Sequence, residues 1–216
     1  MTLSVESGYR GSAESWSAVL RDVSARGLRA PKLTIADGHL GIWAALGRVY
    51  PSSGEQRCWN HKLRNVLDVI ARKRQSDVKA DLQRIAAATV KEAERLKREF
   101  RKTRERAYPK AVERLERGWE WMVTYYAFPK GHWTHIRTTN VAESPFAAVR
   151  LRTGAAKRFK KVENATALIW KMLLVVEQHF RKLNAPHLLS AAYNGIEYTD
   201  GIRVRAVEAA REQLAA

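Results

Sequence analysis

The feature that most constrains this chain is a 65-residue stretch, 62 to 126, that holds no strand-like run. Its apolar residues recur at helical spacing throughout. Leu63, Val66, Leu67 and Ile70 form one set, Val78, Leu82, Ile85 and Ala86 a second, and Val112, Leu115, Trp119, Met122, Val123 and Tyr126 a third. Residues three and four apart share one helix face, so the block is all-helical, with stripes that must be buried against partners. Inside it, residues 97–106 are so basic that they form either a solvated face or a phosphate-contacting one.

The residues ahead of the block follow another rule. Thr2 to Val5 reads as a short strand, followed by a Gly/Tyr/Arg/Gly/Ser turn. Ser12 can cap a helix with Trp16, Val19, Leu20 and Val23 on one face, and Gly27 ends it. Pro31 opens a strand, Lys32 to Ala36, that stops at Asp37-Gly38. A helix from about Leu40 to Val49 is closed by Pro51 and Gly54, and a strand from Gln56 to Trp59 precedes His61. Such alternation of strand and helix marks an α/β domain. Beyond the block come a turn at Pro129-Lys130-Gly131 and a helix near Asn140. A longer helix follows, Ala165 to Leu183, with Leu168, Ile169, Met172, Leu173, Val176 and Phe180 on its apolar face. The last thirty residues, with turns at Asn194-Gly195 and Asp200-Gly201, are expected to pack loosely. The fold class expected is α/β, mostly helical.

Charge narrows the partners. Thirty-nine Lys and Arg against 22 Asp and Glu give +17 over 216 residues, an excess that draws polyanions to the surface. Nucleic acid is the first partner to consider, an anionic membrane the second, and a soluble basic protein of neither kind the third. The longest apolar stretch, Ala165 to Val176, is broken by Lys171 and is too short to span a bilayer. Glu6, Arg10 and Glu14 interrupt the N-terminus before a signal-peptide core can form. The single cysteine, Cys58, has no internal disulfide partner, which suits a reducing cytosol.

Two carboxylates stand out. Asp37 follows a strand of apolar and β-branched residues, and the carboxyl ends of such strands are where ligands bind in α/β sheets; as a helix N-cap it would satisfy orphan amides equally well. Glu143 stands three residues after Asn140, which fits a capping box, and a first-turn glutamate is also rigidly aimed. No acid occurs between Ser144 and Val162, whereas Arg150, Arg152, Lys157, Arg158, Lys160 and Lys161 are all basic. Six phosphate contacts there would give a log–log salt slope of roughly −5; a solvated basic surface is the alternative. Cys58 with His61, and His132 with His135, have metal-ligand spacing and could in number close a zinc site. The pairs lie 71 residues apart (61 to 132), and each encloses a tryptophan suited to a core, so buried or DNA-facing side chains are the preferred reading. No nucleophile motif and no phosphate-binding glycine loop is present.

Six segments in order, GYRGSAESW (8–16), APKLTIADGHLGIWAAL (30–46), QRCWNHKLRNVLD (56–68), HWTHIRTTNVAES (132–144), FAAVRLRT (146–153) and RKLNAPHLL (181–189), resemble the transposases of Mutator-like bacterial insertion sequences. The resemblance implies an RNase H-like core with a helical insertion before its last acid, serving cut-and-paste or copy-and-paste DNA transposition. On that basis residues 1–61 are a partial core, 62–131 the insertion, 132–185 the closing helices and 186–216 a tail. The family's active site is an Asp, Asp, Glu triad. Asp37 matches its second aspartate, Glu143 its glutamate, and Cys58 and His61 a Cys-x-x-His element. The implied cofactor is a pair of Mg²⁺ or Mn²⁺ ions held by Asp37 and Glu143, since hard cations take oxygen ligands; zinc is not expected. The implied partners are DNA, both transposon ends and target, and further copies of the chain in a homodimer or larger assembly, with no membrane. Arg137 and the six basic residues above are the implied DNA contacts, and the setting is a bacterial cytoplasm, at the nucleoid. In the family the first aspartate lies on a strand upstream of the segment matched by Gly8-Tyr9-Arg10. Here seven residues precede Gly8, with Glu6 the only acid among them. The expectation is therefore a core without its first two strands and a chain that alone lacks strand-transfer activity; the alternative is a DNA-binding remnant without chemistry.

Overall fold

A computed structural model describes residues 2–8 and 12–205; the turn expected around Gly8 to Ser12 falls mostly on residues 9–11, outside the described ones. In chain order the elements are α1 (Ala13–Ala25), β1 (Leu33–Ala36), α2 (Leu40–Val49), β2 (Gly54–Arg57), α3 (Trp59–Leu67), α4 (Gln75–Ala87), α5 (Val90–Arg104), α6 (Pro109–Glu116), α7 (Trp133–Ile136), α8 (Asn140–Glu143), α9 (Pro145–Ala155), α10 (Val162–Glu177), α11 (Leu189–Tyr193), β3 (Tyr198–Thr199) and β4 (Ile202–Arg203), with single 3₁₀ turns between several of them. The chain is mostly helical with few strands. β1 pairs with β2 and β3 with β4. The Lys32 carbonyl accepts the Gly54 amide at 3.1 Å and the Ala36 carbonyl the Cys58 amide at 2.8 Å. Both bonds join residues equally far apart in sequence, so β1 and β2 run parallel.

The described residues divide into two compact units. The first comprises 2–34, 39–54 and 139–183. The Ser12 hydroxyl accepts the Ser15 amide at 3.2 Å and so caps α1, which ends at Gly27 with φ +96°. The helix packs on α2, and α9 on α10. Val23, Trp43, Ala45 and Leu46 are buried. Residues 2–5 form no strand. The Thr2 amide donates to the Glu177 carboxylate at 2.9 Å, and the Leu3 carbonyl accepts Arg26 Nη2 at 2.6 Å, so side chains satisfy this backbone where a ladder was expected. α10 starts three residues earlier than its apolar stripe suggests. It also ends six earlier, because the amides of His179 and Phe180 bond back only three residues and turn the chain out of the helix. Of its stripe, Leu173 is buried and Leu168, Ile169, Met172, Val176 and Phe180 are half-buried, while Leu174 and Val175, off the stripe, are 39% and 47% exposed.

The second unit comprises 35–38, 55–138 and 184–205. The three apolar stripes read from the sequence meet here, with Val66, Val78, Leu82, Ile85, Val112, Leu115 and Met122 in one core that also takes in Leu96, Phe100, Trp59 and Tyr125. Trp59 and Trp119 pack edge to face at 5.8 Å between centroids. β2 lies two residues upstream of the expected strand. Cys58 is already the cap of α3, and its carbonyl accepts the Lys62 amide, so Trp59 is helical. The apolar, buried Cys58 and Trp59 were the misleading signal; Gln56, inside the strand as expected, is polar and yet fully buried. Its Nε2 donates to the carbonyls of Arg57 (2.7 Å) and Met122 (3.2 Å), while its Oε1 accepts the Tyr125 amide at 2.8 Å. Every polar atom of the side chain is thereby used.

Of the last thirty residues, 206–216 lie outside the described ones; 187–205 are half-buried or exposed, and hydrogen bonds tie them and the residues just before them to the rest of the second unit. Asn184 and Ala185 bond the rings of His135 and His132, at 3.0 and 3.1 Å. The expected Asp200-Gly201 turn joins β3 to β4, with φ of +50° and +76° as a two-residue hairpin requires. Only glycine fits at 201, since a Cβ would stand 2.7 Å from the Lys130 amide nitrogen. The Gly201 carbonyl accepts that amide at 3.2 Å, and the Asp200 carboxylate takes the Val90 amide at 2.7 Å, at the start of α5. Gln56→Leu is expected to lower the unfolding free energy by about 1–3 kcal/mol, the cost of a buried amide left unpaired. Urea denaturation measures it, and an unchanged midpoint would show that the Gln56 bonds are not structural.

Candidate functional site

Asp37 leaves the C-terminal end of β1 as an exposed residue. The residue before it, Ala36, holds the Cys58 amide, and the next amide, that of Trp59, donates to the Arg137 carbonyl at 3.0 Å. Two consecutive backbone bonds thus tie the strand carrying Asp37, the start of α3 and the residue following α7 into one corner of the second unit. Cys58 is buried and His61 half-buried. Separated by three residues at the head of α3, they share a face, and the Cys58 Sγ lies within 4.8 Å of a His61 ring nitrogen. His39, not Asp37, caps α2: its Nδ1 accepts the Gly41 amide at 3.3 Å.

Glu143 belongs to the first unit and is half-buried. The cap of α8 is Thr139, one residue before the expected Asn140. Thr139 holds Glu143 at both ends, its carbonyl accepting the Glu143 amide at 2.9 Å and its hydroxyl donating to the carboxylate. A glutamate fixed in this way keeps its second oxygen's direction set by the first turn of the helix. After it, Arg150 and Arg152 project from α9, and Lys157, Arg158, Lys160 and Lys161 occupy the turn before α10. All six are exposed, and none makes an ion pair among the described residues. Arg137 differs from them. It is half-buried in the second unit, and its Nη1 donates to the Ala86 carbonyl at 3.2 Å, so its guanidinium braces the helical block.

The other histidine pair serves packing. In each ring Nε2 is engaged by the backbone of residues 184–185, which leaves His132 and His135 as anchors of the C-terminal segment. Sequence reasoning missed two cationic side chains that set the corner's shape. Lys62 donates its ammonium to the carbonyls of Arg114 (2.9 Å) and Arg117 (2.6 Å), at the end of α6 where orphan carbonyls accumulate. Burial, together with the nearby Arg57 and Arg117 cations, pushes Lys62 down to about 8, against a smaller opposing effect of Glu120. Arg57 lies 4.0 Å over the Trp121 ring, and Gly118, at φ +69°, makes room for it, since a Cβ there would meet Arg57 Nη1 at 2.7 Å. A glycine followed by Trp119 and Trp121 was the available signal. Burial likewise pushes the Tyr125 and Tyr126 phenols up.

Residues 1–182 match the family described as Transposase, Mutator family, and the chain belongs to it. Over 200 residues it is 42% identical to the transposase of insertion sequence IST2 from Acidithiobacillus ferrooxidans, covering 92% of this chain and 68% of that protein. It is 37% identical to the transposase of IS6120 from Mycolicibacterium smegmatis, over 92% of this chain and 62% of that one. A third relative, the transposase of ISRM5 from Rhizobium meliloti, is 32% identical over 82% of this chain and 44% of its own length. The chain thus spans about two thirds of the length of the first two relatives and less than half of the third.

Lys62 gives a pH signature. Its proton is held more weakly folded (about 8) than unfolded (10.5), so its charged form costs stability at pH 7.5. That penalty is relieved as pH rises through the window from about 8 to 10.5. Between pH 7.5 and 9.5 the unaltered chain should therefore gain on the order of 1 kcal/mol relative to Lys62→Met, after allowance for solvent screening. Parallel urea melts at the two values test it; equal pH dependence in both proteins would remove the desolvated lysine from the account.

Proposed function

We propose that this chain is the catalytic part of a DNA transposase of an insertion sequence, built on an RNase H-like core interrupted by the helical block. The observation that carries the proposal is membership of the Mutator family across the segments bearing Asp37 and Glu143. The resemblance assigns both as ligands of catalytic Mg²⁺ or Mn²⁺. The donor chemistry fits: each is a carboxylate, one exposed at a strand end and one half-buried and braced by Thr139, and hard divalent cations take such oxygens. Cys58 and His61 offer softer donors and do not fit that role. Bound divalent metal supplies activation of the attacking water or 3′-hydroxyl and stabilisation of the leaving oxygen.

The protein's own residues do the rest. β1 ends in a carboxylate whose backbone is pinned through Ala36, so Asp37 needs little reorganisation to take up a ligand. The Thr139 hydroxyl holds one oxygen of the Glu143 carboxylate. The six exposed cations after Glu143 hold the phosphodiester backbone of transposon ends and target DNA, sequence-independently. Bringing two ends together calls for more than one copy of the chain.

The test is nicking of duplex DNA in Mn²⁺ by the purified chain. Asp37→Asn and Glu143→Gln are each expected to lower the rate by about 100-fold or more, as loss of a metal ligand does, while gel retardation in EDTA stays unchanged. Nicking that survives both substitutions would overturn the site. Retardation in EDTA with no metal-dependent nicking by the unaltered chain would instead favour a DNA-binding module without chemistry.

A further inference from the structure

The helical block is more cationic than its composition alone conveys. Between residues 71 and 117 there are 16 Lys and Arg and eight Asp and Glu. Each of the eight acids lies within 3.8 Å of a cation: Asp77 by Arg74, Asp81 by Arg104, Glu92 and Glu99 by Arg95, Glu94 by Lys97, Glu105 and Glu116 by Arg101, and Glu113 by Arg117. Two arginines serve two acids each, so six cations occupy all the carboxylates of the segment and the others keep their charge unopposed at bridging distance.

Three of the unopposed cations are on α5. Lys91, Arg98 and Lys102 are exposed, and with Arg95 they stand at positions i, i+4, i+7 and i+11, one straight rail along the helix. The face they form lies opposite Ala93, Leu96 and Phe100, which are buried where α5 meets α4 and α6. Eleven residues of helix make the rail about 16 Å long. Duplex DNA presents a negative charge roughly every 1.7 Å along its axis, so a rail of this length meets several phosphates at once. Glu92 and Glu99 flank Arg95 and both bond to it, so the trio carries −1 (one cation, two acids) and the four cations of the rail exceed these two acids by two.

We infer that the α5 rail, Lys91, Arg98 and Lys102, is a second contact surface for the phosphate backbone of duplex DNA, separate from the basic stretch after Glu143. The inference rests on the DNA-binding reading given above and assigns the helical block a part in it. Its surface binds without base recognition and without metal, because lysine and arginine on an exposed helix face meet phosphate as charges rather than reading base edges. The residues of the rail take no part in the acidic site.

Fluorescence anisotropy of the full chain on a 30-base-pair duplex of arbitrary sequence, in EDTA across a KCl series, tests it. Lys91→Gln/Arg98→Gln/Lys102→Gln is expected to bind more weakly and to show a log–log salt slope shallower by about 2.7, three phosphate contacts at about 0.9 each. Should the triple variant unfold, Arg98→Gln alone is expected to take about 0.9 from the slope. Salt titrations of the folded triple variant that superimpose on those of the unaltered chain would overturn the rail while leaving the transposase reading standing. An unaltered chain that fails to bind the duplex even at low salt would overturn both.

Discussion

The placement of the candidate site depends on two adjacent amides. Those of Cys58 and Trp59 donate in opposite directions, one to β1 at Ala36 and the other to Arg137 after α7. A backbone amide buried at a strand-to-helix junction must find an acceptor, and here the acceptors, Ala36 and Arg137, are 101 residues apart (36 to 137) on either side of the helical block. Around this junction several polar groups are paired across the unit. Gln56 and the Trp59 indole both use the Met122 carbonyl, and Arg137 reaches across to Ala86. The block is thereby locked to the end of β1, and Asp37 is the first residue beyond the lock. A hydrophobic insertion with no such fastening would leave the carboxylate on a loose strand end.

Much of this was legible in the sequence, and what was lost has identifiable physical causes. Helical periodicity located α1, α2 and the three stripes of the central block because burial of one face dictates spacing whatever the partner. Asp37, Glu143 and the basic stretch could be singled out by residue type and position. Their assignment as metal ligands and DNA contacts came from family resemblance, since neither spacing nor charge distinguishes a ligand from a cap. The caps themselves shifted: the His39 imidazole accepts the Gly41 amide at α2, and Thr139 takes the cap position of α8 with its hydroxyl turned to the Glu143 carboxylate. β2 was displaced because Cys58 and Trp59, apolar and buried, look like strand residues although they already open α3. The C-terminal segment was underestimated for a different reason. Its attachment runs through backbone groups and a glycine turn, as with Gly201 on Lys130, and such bonds leave little trace in side-chain pattern.

Charge is distributed with a regularity that composition conceals. Between residues 71 and 117 each of the eight acids has a cation within 3.8 Å, six of them three or four residues away in sequence. Such exposed pairs contribute little to stability; their larger consequence is that the remaining lysines and arginines face solvent as an uncompensated excess. In the first unit the same end is reached by omission, with no acid from Ser144 to Val162. Lys62 shows the opposite treatment of a cation. It is drawn into the protein to satisfy helix-end carbonyls, at the cost of a weakened hold on its proton.

The central proposal, which rests on the family resemblance, is that Asp37 and Glu143 are both metal ligands. Electron paramagnetic resonance of free Mn²⁺, titrated with the DNA-free chain, measures this apart from any reaction. If the claim holds, the unaltered chain depletes the free-ion signal. Asp37→Asn and Glu143→Gln then each weaken binding by about tenfold or more, and the double variant is little worse than either, as for two groups acting as one unit. Equal Mn²⁺ binding by all four proteins would contradict it.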